Sequence, residues 1–166
     1  MATCGVEQYT TTLNLVTKMK QIELAKSIAT KAHNGQFRWD GKTPYIMHPA
    51  AVAKSVYSSC NWQSENDERC VNAIAAAWLH DVIEDTPLTI ADLRVAGINE
   101  DILTAVDLLT KSHNEDYLSY LLRLKSNPIA LRVKIEDIRN NMSDLDQKKK
   151  KSMYEKYTLA LHILTT

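Results

Sequence analysis

The chain has 166 residues, enough for one domain with a sizeable core. Hydrophobic residues make up 45% and charged residues 24%, and Gly and Pro number only four each, which favours long helices with short connections over many short strands. Lys+Arg and Asp+Glu balance at 20 each, which excludes a global field for holding DNA, RNA or an anionic membrane, so a phosphorylated ligand must be held by a local cluster.

Residues 1–12 are polar and are expected to form a flexible N-terminus, with one folded domain over residues 13–166. The start lacks a basic segment followed by an apolar one, so no signal peptide is expected. No apolar run is long enough to span a membrane. Cys4, Cys60 and Cys70 are scattered and odd in number, which points to a reduced, cytoplasmic protein rather than a disulfide framework.

Leu15, Met19, Ile22, Ala25, Ala29 and Ala32 recur at helical spacing and predict a first helix ending near His33-Asn34-Gly35. Gln36 to Met47 reads as an ordered loop, with turn chemistry at Asp40-Gly41. Pro49 suits the first turn of a second helix carrying Ala50, Val52, Ala53 and Val56. A third helix is expected over Asp67 to His80, where Ala75-Ala76-Ala77 allows neighbouring backbones to approach closely. Thr86-Pro87 interrupts the chain, after which Thr89, with Asp92 three residues on, caps a short helix that Gly97 stops. Asn99 caps a helix with Ile102, Leu103, Val106 and Leu109, and another is expected from about Asn114 to Lys125. Asn127-Pro128 opens the helix of Val133, Ile135 and Ile138. Asp144 or Asp146 opens the last, amphipathic through Tyr154, Tyr157, Leu161 and Leu164. The expectation is an all-α bundle of about eight helices.

The chemistry concentrates around His80-Asp81. Glu84 lies four residues after His80 and Asp85 four after Asp81, so each pair would share a face if the helix continued. Carboxylates crowded among Ala75, Trp78, Leu79, Val82 and Ile83 need a cation to offset their repulsion and desolvation. His48, just ahead of Pro49, and Asp137, between Ile135 and Ile138, complete a mixed nitrogen and oxygen set. Such a set suits one divalent ion of the manganese, iron or zinc class and leaves positions for water and substrate oxygens.

These residues sit in longer motifs. Ala32-His33, Gly35-Gln36 and Arg38 precede Pro44-Tyr45-Ile46 and His48-Pro49; then come Leu79-His80-Asp81-Val82-Ile83-Glu84-Asp85-Thr86, Leu109-Thr110-Lys111 and Val133-Lys134-Ile135-Glu136-Asp137. In this order they resemble the hydrolase domain of the RelA/SpoT family and the stand-alone small alarmone hydrolases, over about residues 25–160. The resemblance implies a single HD-type metal-dependent phosphohydrolase domain. It implies that His48, His80, Asp81 and Asp137 hold one metal, most often Mn²⁺. Glu84 and Asp85 would position or deprotonate the attacking water, and Asn141 matches an active-site asparagine. Arg38, Lys111 and Lys134 match positions that contact the nucleotide or its phosphates. No synthetase segment follows the matched region, so hydrolysis alone is expected. The chain departs from the family at Trp39, Asp40 and Lys42, and carries Asp137-Ile138-Arg139-Asn140-Asn141 where Asp-Arg-Leu-His-Asn is usual.

Each residue also has a plainer reading. His48 could cap a helix, Asp137 could pair with Arg139 or Lys134, and Arg38, Lys111 and Lys134 could be solvated cations. His33, His113 and His162 read as structural or exposed, and the Lys148–Lys151 run as a solvated helix start rather than a nucleic-acid site. The expected reaction is removal of pyrophosphate from the 3′ position of a (p)ppGpp-type alarmone or its adenosine analogue. The alternatives are a phosphatase on another nucleotide, such as NADPH, and a non-catalytic alarmone sensor. The expected partner is the phosphorylated nucleotide, with no DNA, RNA or membrane; a homo-oligomer is compatible with the sequence.

Overall fold

The computed structural model describes residues 19–61, 67–145 and 150–166. Among them the regular structure is helical: α1 (residues 19–32), α2 (Met47–Ser59), α3 (Asp67–Leu79), α4 (Val82–Asp85), α5 (Ile90–Val95), α6 (Glu100–Leu109), α7 (Tyr117–Lys125), α8 (Pro128–Ser143) and α9 (Lys151–Thr165). This is the expected all-α architecture, with α4 as an additional single turn. The expectations for residues 1–12, Leu15 and Asp146 lie outside the described residues.

The helix starts follow side-chain chemistry. Thr89 accepts from Asp92 N while Asp92 accepts from Thr89 N, a complete capping box for α5. Asn99 accepts from Ile102 N at α6, and Asn127 accepts from Ile129 N and Ala130 N at α8. α2 opens at Met47 with Pro49 in its first turn, as expected, and Met47 N donates to Pro44 O and His48 N to Tyr45 O. Two starts differ from the expectation. α7 begins at Tyr117, three residues after Asn114, and is capped by Asp116, which accepts from Ser119 N. α9 opens at Lys151 rather than at Asp144, which instead closes α8.

α3 is the inner element, packed against α2, α6 and α8; α8 also meets α7 and α9. Ala75, Ala76 and Ala77 are fully buried, as are Val52 and Val56 of α2 and Val133 and Ile138 of α8. The small side chains of α3 let its neighbours close in on both sides, which brings His48, His80 and Asp137 of three different elements together. Between α1 and α2 the chain makes a short hairpin-like loop, with Phe37 and Pro44 bridged and Arg38 N donating to Thr43 O. Asp40 organises its tip by accepting from Lys42 N, Thr43 N and Thr43 Oγ1. Gly41, at φ +67°, takes the left-handed conformation the turn requires.

No helix among the described residues is long and apolar enough to cross a membrane. Close packing of α3 has a measurable corollary. Ala76→Leu inserts volume where none is free and is expected to cost about 1–3 kcal/mol, while Val95→Ala, at 90% exposure, stays within about 0.5 kcal/mol. Urea unfolding of the two variants checks the contrast.

Candidate metal centre

α3 stops at Leu79, which leaves carbonyls of its last turn without helical donors. Ala77 is wholly buried, and its carbonyl takes a hydrogen bond from His80 Nδ1 at 2.8 Å. In the neutral ring the proton is thereby committed to Nδ1, and Nε2 carries the lone pair. On the second histidine, Nδ1 donates to Asn140 Oδ1 at 2.7 Å, which commits that ring in the same sense. The two Nε2 atoms then face each other at 3.3 Å inside the protein.

Carboxylates close around them. Asp81 Oδ2 lies 3.0 Å from His80 Nε2 and 3.6 Å from His48 Nε2. Asp137 Oδ1 lies 3.1 Å from His48 Nε2 and 3.7 Å from His80 Nε2. Ligand atoms of His48, His80 and Asp137 all fall within 4.8 Å of one another. Donors about 2.1 Å from a shared ion would stand roughly 3.0–3.4 Å apart, close to the separations found here. Asp81, the fourth expected ligand, stands outside that mutually close group, though its Oδ2 reaches both rings. Without a cation, the two imidazole nitrogens and the Asp137 carboxylate would converge on one point. The donor set therefore fits a divalent metal.

The titration behaviour carries the same message. Burial works against charge on His80, but Asp81 and Asp137 outweigh it and hold the imidazolium well above the usual histidine range. Burial would also raise both carboxyls. His80 instead pulls Asp81 down to about 2, and Lys134 with the two imidazoles holds Asp137 well below the carboxylate range. Positive charge is needed at this point whether a proton or a metal supplies it.

The break after Leu79 also answers how adjacent residues can serve one site. On a continuous helix His80 and Asp81 would point roughly 100° apart. Here both lie in a turn, and Asp81 precedes α4 at φ −103° and ψ −4° without capping it. Its Oδ2 instead accepts from Tyr45 OH at 2.7 Å. Burial, then Asp81, push the Tyr45 phenol far above its usual range, so it remains a donor.

The other expected residues divide. Asn141 Nδ2 donates to Asp137 Oδ1 at 2.6 Å, and its Oδ1 receives Arg38 Nη2 at 3.4 Å. Arg38 Nη2 also pairs with Asp144 Oδ2 at 3.0 Å. Lys134 Nζ is bound to Asp137 Oδ2 at 2.8 Å, so it faces the cluster from behind. Lys111 Nζ turns away to Ser112 O, while its backbone N–H reaches Glu84. Glu84 and Asp85 stand at the exposed rim on α4. The Glu84 carboxyl is nonetheless raised above its ordinary range, first by burial and then by Asp81. Tyr45 and Asn140 were assigned no role from sequence. Tyr45 lies within the quoted motif, but Asn140 carried no signal beyond its place beside Asn141.

Beside the cluster a cavity of about 260 Å³ is lined by Arg38, Trp39, Tyr45, Asn141, Lys150 and Tyr157, among others. Lys150 Nζ sits 4.6 Å from the Trp39 ring centre. A larger groove, about 440 Å³, runs between α1 and α5 past Ile28, Pro87 and Leu93. It is apolar and holds none of these groups, so chemistry rather than volume locates the site.

Comparison with known proteins agrees with this geometry. The chain is 36% identical over 129 residues to a guanosine-3′,5′-bis(diphosphate) 3′-pyrophosphohydrolase of Haemophilus influenzae, covering 71% of this chain and 18% of that protein. It is 30% identical over 139 residues to the bifunctional (p)ppGpp synthase/hydrolase SpoT of Escherichia coli K12, covering 77% of this chain and 18% of that one. The chain thus spans less than a fifth of the length of these relatives. A solved structure described as a metazoan ortholog of SpoT that hydrolyzes ppGpp shares the fold, with TM-score 0.64, 20% identity, and coverage of 87% of this chain and 83% of that one. Residues 25–153 match the model of the HD domain. With its paired histidines and aspartates gathered at the break between α3 and α4, the chain belongs to the HD domain family.

Proposed function

We propose that this protein is a metal-dependent phosphohydrolase that removes pyrophosphate from the 3′ position of a (p)ppGpp-type alarmone or its adenosine counterpart. The observation that carries the reading is the pair of Nε2 atoms 3.3 Å apart, both with Nδ1 already committed, between two carboxylates. His48, His80, Asp81 and Asp137 would hold the ion, with Mn²⁺ as the expected metal. What a divalent cation supplies there is Lewis acidity, which makes water acidic near neutral pH and offsets phosphoryl charge.

The remaining steps belong to side chains. Glu84, raised above its usual range at the rim of the cluster, is suited to take a proton from the attacking water and return it to the leaving oxygen. Asp85 lies one residue on and aligns that water. Asn141 holds Asp137 in place. Arg38 and Lys150 line the adjacent cavity and offset substrate charge, while Trp39 and Tyr157 offer aromatic faces to a base. Residues 13–166 form one such domain in this reading, and the buried free thiol of Cys60 suits a cytoplasmic setting. The relatives named for (p)ppGpp support the substrate class.

The deciding assay is a nucleotide panel with Mn²⁺, scoring pyrophosphate against orthophosphate. Pyrophosphate release from ppGpp or its adenosine analogue supports the reading. Orthophosphate from NADPH at a much higher kcat/KM overturns the substrate, and tight binding without turnover makes the protein a sensor. Three predictions accompany it. Purified protein should carry about one ion per chain, lost together with turnover in His80→Ala and on chelation; full activity in metal-free protein would refute the site. Glu84→Gln should keep metal content and lower turnover roughly 10²–10⁴-fold. In wild type the base must be deprotonated, so a raised Glu84 pKa moves the acid limb of the kcat profile above the ordinary glutamate range, and that limb should vanish in Glu84→Gln. Lys134→Met should weaken metal retention, since it frees Asp137 Oδ2, whereas Arg38→Ala should mainly raise KM. Equal effects of both variants on KM alone would return Lys134 to the role of a phosphate contact.

A further inference from the structure

His33 lies outside the metal cluster, is only 2% exposed, and among the described residues its Nε2 is a buried side-chain atom without a hydrogen-bond partner. It ends α1, and Gly35 at φ +79° folds the chain back so that Gln36 N donates to His33 O. The orientation of the Gln36 amide follows from what lies at its two ends. Asp85 O is a carbonyl and can only accept, so it receives Gln36 Nε2, at 3.0 Å. Gln36 Oε1 therefore faces His33 Nδ1, at 2.7 Å, and Nδ1 carries the proton. With one proton on the ring, Nε2 is a bare acceptor.

A phenylalanine or leucine would fill this space without a buried unpaired acceptor. The imidazole does two things at once that neither could. It gives a donor to Gln36, and it lays a face against Tyr45, with ring centroids 4.8 Å apart at 35°. Both contacts end on the same five residues. Tyr45 OH donates to Asp81 Oδ2, and Gln36 Nε2 donates to Asp85 O. α4 has only four residues and cannot hold its own shape, and Asp85 O, at its C-terminal end, takes its hydrogen bond from Gln36.

We propose that His33 is a positioning residue for the acidic pair, holding the end of α4 through Gln36 and steadying Tyr45 against Asp81. The inference rests on reading Glu84 and Asp85 as the groups that handle the attacking water.

Three variants test it. His33→Phe keeps a flat ring against Tyr45 and removes the donor. His33→Asn places an amide N–H close to the position of Nδ1. Gln36→Leu cuts the same arm at its other end. The readouts are kcat and KM per metal-loaded chain, and hydrogen exchange across residues 82–86. His33→Phe is expected to lower kcat roughly 10–100-fold with KM and metal content within twofold of wild type, and to speed exchange at 82–86. Gln36→Leu should do the same, the double variant should be no slower than the slower single, and His33→Asn, which restores the donor but not the ring, should recover part of the lost rate. Wild-type kcat and exchange in His33→Phe, losses that multiply in the double variant, or no recovery in His33→Asn would each overturn the proposal. If His33→Phe does not fold, Gln36→Leu carries the same comparison. If wild-type protein turns over no nucleotide, the functional reading fails separately. The exchange data then decide alone: faster exchange at 82–86 supports the positioning role, and unchanged exchange overturns it.

Discussion

Two imidazole nitrogens held 3.3 Å apart, each with its partner nitrogen already donating elsewhere, set the terms for everything around them. With neither a proton nor a metal between them, lone pairs aimed at one another inside a protein repel, and so do the carboxylates of Asp81 and Asp137 beside them. A neighbourhood of this kind persists only if the groups behind it hold the ligands rigidly. Ala77 O and Asn140 fix the rings, Tyr45 fixes Asp81, and Lys134 and Asn141 fix the two oxygens of Asp137. The helices exist, from the site's point of view, to bring these supports to one place.

That arrangement depends on a helix that ends early and a helix that stays thin. Were α3 to run on through Asp85, His80 and Asp81 would face different neighbours. Ending it at Leu79 frees the Ala77 carbonyl that orients His80 and allows Asp81 to turn toward the same centre. The fully buried alanines one turn earlier bring α2 and α8 close enough for His48 and Asp137 to reach. Small residues and a helix end, neither of them reactive, set the distances on which the chemistry rests.

Much of this could be read from the chain itself. His80-Asp81 and Asp137 stood out because ionisable groups among apolar neighbours are costly unless paired, and His48 only through the company of these residues and its place ahead of Pro49. The capped starts of α5, α6 and α8 followed from Thr89, Asn99 and Asn127. What spacing could not convey was tertiary. Lys134 is three residues before Asp137, a spacing equally good for a phosphate contact and for the ion pair found here. Lys111 matched a family position by side chain, yet it is the backbone N–H that meets Glu84. Asn140 and Tyr45 act on residues 92 and 36 positions away, where sequence pattern has no reach. The shared face proposed for His80 with Glu84 presumed a continuous helix, and the break replaces it with a turn.

Asn141 joins the cleft to the candidate metal centre through a single planar group. Its nitrogen end grips Asp137 at 2.6 Å, and its oxygen end meets Arg38 at 3.4 Å, while Arg38 also leans on Asp144. An amide cannot rotate one end without the other. A ligand that draws Arg38 into the cleft therefore alters the load on Asn141 and, through it, the field of Asp137. Such coupling is reciprocal by thermodynamic necessity, so whatever cleft occupancy does to ion affinity, the ion does equally to affinity in the cleft. If both sites fill as proposed, one side-chain amide would make them a linked pair, each affinity having meaning only when the occupancy of the other is stated.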